Sequence, residues 1–329
     1  MGNTRRPALI VFLGLMLLGG RASEAQPAKI PVILDSDIGG DIDDTWALAL
    51  LLRSPEFDVK LVVSDTGDTV YRSKIIARLL EVAGRADIPV GVGIRQSRDG
   101  GPQSAWVAGY ELSQYPGKVH EDGVQAIIDA IKGARPESPI TLICIGAMPN
   151  IREALKRAPE IASRAKFVGM HGSIRLGYGG KPKPDPEANV VNDVESTRAA
   201  FAAGWPRTIT PLDTCGLVQL TGENYRKVAE SKDPLARAVI ENYRIWHRSQ
   251  APASKEGDAP VASSILFDTV AIHLARTHEW LTMEELPIVV GDDGITRIDP
   301  AGPRINCAMS WKDRPAFDRM LVERLTGGR

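Results

Sequence analysis

Short, largely apolar runs alternate with stretches of helical composition through the first two thirds of the chain, and this alternation limits the fold more than any other feature. Ile30 to Leu34, Val59 to Val63, Ile88 to Val92, Ile140 to Ile145 and Lys166 to Met170 read as strands. Between and after them, Thr45 to Leu52, Tyr71 to Val82, Gly123 to Ile131, Asn150 to Ala158 and Val194 to Ala203 read as helices. Strands without a polar face are strands buried on both sides, which is the mark of a parallel sheet covered by helices. The spacing therefore predicts an α/β fold, a single domain with a mainly parallel central sheet flanked by helices. The later part changes texture. Residues 221–248 and 264–277 read as helices, Ile288 to Val290, Thr296 to Ile298 and Ile305 to Met309 as short strands around the Asp293-Gly294 turn, and Asp313 to Leu325 as a closing helix. The polar stretch Gln250 to Pro260 reads as a long loop, a candidate lid.

The N-terminus is set apart from this pattern. Arg5 and Arg6 precede an apolar run from Ala8 to Leu18, and Ser23-Glu24-Ala25 places small residues at a cleavage site after Ala25. That is the layout of a secretory signal peptide, too short to span a bilayer. The expectation is a signal peptide over 1–25, a catalytic domain over 26–329, and an exported protein, periplasmic or secreted, with no membrane contact after cleavage. Charge excludes one class of partner. With 40 basic and 41 acidic residues, the chain has no excess with which to neutralise phosphates, so nucleic acid is not expected. Cys144, Cys215 and Cys307 are an odd set without metal-ligand spacing and read as unpaired buried thiols.

Chemistry concentrates after the first strand. Asp35-Ser36-Asp37-Ile38-Gly39-Gly40-Asp41-Ile42-Asp43-Asp44 puts five carboxylates in ten residues, between a strand and a helix. Helix capping accounts for one or two of them. Five repel one another unless a cation neutralises them, and hard divalent cations take oxygen ligands. In open α/β sheets, ligands bind beyond the carboxyl ends of strands, where this segment falls.

A first-strand DxD also opens the haloacid-dehalogenase phosphatases, but there Thr or Val and an apolar residue usually follow. The segment more closely resembles the DxDxGxDD signature of the inosine–uridine-preferring nucleoside hydrolases, through Asp35, Asp37, Gly39, Asp43 and Asp44, with two extra residues between the Gly and the Asp pair. Further similarities follow in order. Ser64 to Asp68 stands where the family has TTVxGN, with Asp68 in place of Asn. ITLICIGAMPN over 140–150 resembles TLVxxGPLTN, Pro186 to Asn189 resembles AEFN, and Pro211-Leu212-Asp213 resembles PLD. Phe267-Asp268-Thr269 falls where the family has its late metal-binding Asp.

The resemblance implies a single α/β domain that cleaves the N-glycosidic bond of ribonucleosides with water and holds one Ca²⁺. Carried over by position, it makes Asp37, Asp44 and Asp268 ligands, with the main-chain carbonyl of Ile145. It makes Asp37 the base that takes a proton from water, and Asp43, Asp68, Glu187, Asn189 and Asp268 substrate contacts. Asp41 is the alternative to Asp43 at the ribose. Two departures stand out: Phe267 replaces the family's leaving-group His, and Lys181 stands where an upstream Asn is usual. His171 is then a candidate proton donor. Tyr178, Tyr243 and Trp246 are candidates for stacking on the base, the last two sharing a helix face. Relatives are often dimers or tetramers, so a homo-oligomer is expected. The alternatives are a hydrolase of another N-riboside and a non-catalytic exported nucleoside- or ribose-binding protein.

Overall fold

The computed structural model describes residues 1–4, 28–250 and 259–328. Residues 5–25 of the expected signal peptide and the centre of the Gln250 to Pro260 loop lie outside the described residues. From the first strand the chain runs β1 (Ile30–Ser36), α1 (Asp43–Leu52), β2 (Phe57–Ser64), α2 (Thr69–Val82), β3 (Val90–Gly91), β4 (Val119–His120), α3 (Gly123–Lys132), β5 (Ile140–Cys144), α4 (Pro149–Arg157), β6 (Ala165–Met170), α5 (Ala188–Asn192), α6 (Val194–Ala202) and β7 (Arg207–Thr210). It continues through α7 (Gly222–Ala229), α8 (Pro234–Gln250), α9 (Thr269–Arg276), β8 (Leu281–Val290), β9 (Thr296–Ile298), β10 (Arg304–Trp311) and α10 (Arg314–Leu325).

The strands form one sheet in the order β4-β3-β2-β1-β5-β6-β7-β10-β8-β9. All pairs from β4 to β10 are parallel, and β8 and β9 close the far edge in antiparallel fashion. The expected α/β architecture is what the chain adopts. Strand β1 shows why its residues suit this place. Val32 and Leu34 enter the core beneath α1, α2, α8 and α9, and Ile33 enters the core beneath α3, α4 and α6. Successive side chains of a strand point to opposite faces, so a strand with a core on each side must be apolar throughout. From β1 the chain first winds outward to β4, then returns to β5 on the other side. The boundary between β1 and β5 is therefore the switch point where such sheets open a crevice.

Four expectations about elements change. The single helix over 221–248 is two, because Pro234 cannot continue a helix; Asp233 caps the second through the N–H groups of Leu235 and Ala236. The helix over 264–277 begins only at Thr269, which leaves Asp268 at its N-terminus with its carboxylate free of capping. The strand at Ile88 to Val92 shrinks to Val90–Gly91, and β8 reaches back to Leu281. Cys144, Cys215 and Cys307 are free and buried, as expected. Among the described residues no helix is long and apolar enough to cross a membrane.

Glu56, between α1 and β2, ties the closing helices to the sheet. Its carboxylate accepts from Arg324 Nη1 at 2.7 Å and Nη2 at 2.6 Å, and from Arg276 Nη1 at 3.3 Å. These bonds lower its pKa from 4.5 to about 2. A depressed carboxylate pKa gives stability that is present above the unfolded value and is lost as pH falls through the folded one. Glu56→Gln is expected to cost about 1 kcal/mol at neutral pH, since the pair is partly exposed. In urea melts that difference should shrink below pH 4.5 and vanish near pH 2. A constant difference across this range would mean that the charge is not what matters.

Candidate active site

The carboxyl end of β1 delivers the acidic segment into the crevice. Gly39 turns the chain with φ of +99°, and a Cβ there would lie 2.8 Å from Tyr71 Cε1, so only glycine fits. The chain then enters α1 at Asp43 and Asp44, whose negative charge suits a helix N-terminus. Asp37, Asp41, Asp43 and Asp44 line a cavity of about 330 Å³. Ile145, following β5, Met170, ending β6, and Tyr178, Glu187, Asn189, Phe267 and Asp268 line it too.

One carboxylate oxygen from each of Asp43, Asp44 and Asp268 lies within 4.8 Å of the others, and all three residues are buried. Few neutral donors offset this charge. Ser36 Oγ donates to Asp44 Oδ1 at 2.6 Å, and the Asp268 N–H donates to Asp43 Oδ2 at 3.4 Å. Burial first, and then mutual repulsion, pushes the pKa of all three well above the usual carboxylate range. Burial raises Asp37 as well, against the pull of the Arg72 guanidinium. An all-oxygen donor set of this density, with so little protein charge to balance it, fits a hard divalent cation.

Arg72 was not foreseen. It is the fourth residue of α2, where a positive charge runs against the helix dipole, and that misplaced charge is the one trace it leaves in the sequence. Its Nη1 donates to the Ile38 carbonyl at 3.0 Å, and its guanidinium packs against Gly40 and Gly67, so it pins the turn carrying Asp37. Behind Asp37 lie two further buried carboxylates. Asp35 Oδ1 accepts from Asn150 Nδ2 at 2.8 Å, and Asp65 Oδ2 accepts from the Met148 N–H at 2.7 Å.

The profile of the family described as inosine-uridine preferring nucleoside hydrolase matches residues 32–317. The chain belongs to that family. It is a hydrolase of N-glycosyl compounds. A pyrimidine-specific ribonucleoside hydrolase RihA of Enterobacter sp. (strain 638) is 28% identical over 325 residues, covering 90% of this chain and 97% of the relative. A probable uridine nucleosidase 2 of Arabidopsis thaliana is 27% identical over 306 residues, covering 86% and 90%. The fold matches that of a plant nucleoside hydrolase, PpNRh1, with a TM-score of 0.75 at 22% identity over 91% of this chain and 99% of the other. It also matches a purine-preferring ribonucleoside hydrolase from Gardnerella vaginalis, with a TM-score of 0.71 at 24% identity over 90% and 98%.

Within this nucleoside hydrolase fold, most of the residues singled out from sequence meet in one cavity: Asp37, Asp43, Asp44, Ile145, Glu187, Asn189 and Asp268. Glu187 caps α5. Its carboxylate accepts N–H groups from Asn189 at 2.8 Å, Gly172 at 3.0 Å and Val190 at 3.2 Å, while burial pushes its pKa to about 7. Asn189 Nδ2 donates to the carbonyls of Met170 at 3.1 Å and Ile145 at 3.3 Å, and its Oδ1 has no partner among the described residues.

Four expected contacts lie elsewhere. Asp68 caps α2, accepting from the Tyr71 N–H, and pairs with Arg95 at 2.8 Å. The cap is a use that sequence cannot distinguish from ligand binding, since both favour Asp. His171 is fully buried outside the cavity lining, beside Phe167 and Phe201, with Nε2 3.0 Å from the Gly146 carbonyl. Burial lowers its pKa to about 4. Tyr243 and Trp246 do share a face of α8 and stack at 6.0 Å, but that face packs on α1 and the acidic turn. Tyr243 donates to the Ala262 carbonyl at 2.8 Å, and Trp246 Nε1 donates to the Gly40 carbonyl at 3.1 Å.

Proposed function

We propose that this chain hydrolyses ribonucleosides to free base and ribose in a Ca²⁺-dependent reaction, outside the cytoplasm. The observation that carries this reading is the convergence of three buried, mutually repelling carboxylates with Asp37 in a cavity of nucleoside size. Asp37, Asp44, Asp268 and the Ile145 carbonyl would hold the ion. Calcium bound there supplies positive charge that makes water more acidic. Asp37 takes the proton from the attacking water. The cluster of carboxylates stabilises the oxocarbenium character that develops at the sugar as the base departs. Asp43, Glu187 and the free Oδ1 of Asn189 orient the ribose hydroxyls. The signal-like layout from Arg5 to Ala25 supports export.

A reducing-sugar assay on the mature protein tests the reading. The panel holds uridine, cytidine, inosine, adenosine and guanosine, each with Ca²⁺ and with excess chelator. Uridine and cytidine are expected to be cleaved fastest, a reading supported by relatives named as pyrimidine-specific and uridine hydrolases. Ribose release that stops on chelation is the expected outcome. Tight ribonucleoside binding without release would replace the enzyme with a binding protein.

A further inference from the structure

Breaking the glycosidic bond leaves its electron pair on a ring nitrogen of the base, and that charge needs a donor. Histidine does not supply one here. None of the five histidines lines the cavity, and the position next to Asp268 is Phe267. Of the uncharged donors that do line it, Asn189 spends its amide on two carbonyls, and Asn192 stands exposed at the rim. Arg72 is committed to the Ile38 carbonyl and to the charges of Asp37 and Asp44.

Tyr178 remains. We propose that its phenolic hydroxyl donates the hydrogen bond that receives the departing base, as a catalytic residue in the cavity that the acidic segment lines. This rests on the nucleoside-hydrolase reading above.

Its geometry suits the task. The oxygen of Tyr178 accepts the Ala188 N–H at 2.9 Å, and its own hydrogen finds no acceptor among the described residues. Ala188 lies between Glu187 and Asn189, so the hydroxyl is held beside the residues proposed to orient the sugar. The ring meets Phe267 edge-on, with centroids 6.0 Å apart at 84°. These two are the aromatic side chains lining the cavity, and a flat base needs such a surface. The backbone is fixed as well: Tyr178 N–H donates to Asp185 Oδ2 at 2.9 Å, and a Cβ on Gly177 would lie 2.4 Å from that same oxygen. Burial and the nearby Glu187 charge raise the phenol pKa, so the hydrogen is present throughout the working range.

The step balances without a co-reactant. Water forms the new bond to the sugar and gives one proton to Asp37. The C–N bond breaks with its pair moving to the base, which leaves as an anion hydrogen-bonded to Tyr178. The base then takes a proton from solvent, and Asp37 returns its own to solvent.

Tyr178→Phe keeps the ring and removes the hydroxyl. Its kcat should be compared on uridine or inosine and on a nitrophenyl β-riboside, whose leaving group is a stable anion that needs no donor. The ratio of nucleoside to nitrophenyl-riboside kcat is expected to fall about 100-fold, at the lower end of what general acid–base groups contribute, with KM for the nucleoside little changed. An unchanged ratio, whether both activities fall together or neither does, overturns the proposal and leaves Tyr178 as a sugar or packing contact. If the wild-type protein cleaves the nitrophenyl riboside but no nucleoside of the panel, the donor role is also wrong. If it cleaves neither while folded with Ca²⁺, the nucleoside-hydrolase reading itself fails.

Discussion

Asp37→Asn is expected to lower kcat on the best nucleoside by at least about 1000-fold, within the range for loss of a positioned base. The amide is nearly isosteric, so the turn held by Arg72 through Ile38 should persist. It cannot take a proton, and it is a weaker ligand for a hard cation than a carboxylate. The measurement is kcat at saturating nucleoside and saturating Ca²⁺, with calcium affinity followed in parallel by calorimetry. A loss in kcat that excess calcium does not restore identifies proton transfer as what was removed. Recovery of full turnover at high calcium would assign Asp37 to ion binding alone. Turnover unchanged at all calcium concentrations would remove it from the mechanism.

Removing calcium should have an effect of similar size on activity, and it should also appear in stability. Asp43, Asp44 and Asp268 are buried, close together and raised in pKa, so ionising them all without a cation opposes folding. The sign follows from linkage. A carboxylate whose folded pKa lies above the unfolded value of 3.8 makes the native state bind more protons, so stability declines as pH rises from that value through the folded pKa. Metal-free protein should therefore melt lower at pH 8 than at pH 5. Calcium at one hundred times its Kd at pH 8 should add about 2.7 kcal/mol there, a shift of several degrees, and the same calcium concentration should add less at pH 5. Asp268→Asn should remove much of the calcium shift and raise the melting temperature of the metal-free protein, because one of the three repelling charges is gone. A melting temperature indifferent to both calcium and this substitution would show that the carboxylates do not hold the ion.

The parts of the site that were legible in the sequence are those that lie together along the chain. Asp35 to Asp44 reads as a ligand-binding turn because strand, turn and helix are contiguous, and the two-faced burial of β1 could be read from its apolar run. Arg72 was harder, since it reaches the cavity from another element and only the packing of α2 against the acidic turn puts it there. Tyr178 was a stacking candidate by its residue type, but only the packing of the 171–187 loop against Phe267 brings it into the cavity. The expected residues that the structure places outside the cavity are residues with two common uses. Asp68 serves as a helix cap, His171 as a buried polar group on a carbonyl, and Tyr243 and Trp246 as the packed face of an amphipathic helix. The break at Pro234 was visible in the sequence, but the apolar periodicity on either side masked it.

The hydrogen bond from Asp268 to Asp43 joins residues 225 positions apart. A loop that long closes only after the sheet has been laid down between its ends, since the entropy of closure must be met by contacts already formed. With the proposed ligand set, ion capture is expected late in folding, and it then reports on the whole chain. A ribosome-bound polypeptide ending before residue 268 carries the acidic turn but not its distant partner, and should show no high-affinity calcium uptake. Calcium retention thus becomes a completeness check that can be followed during refolding, one that separates fully closed molecules from those that have only built their sheet.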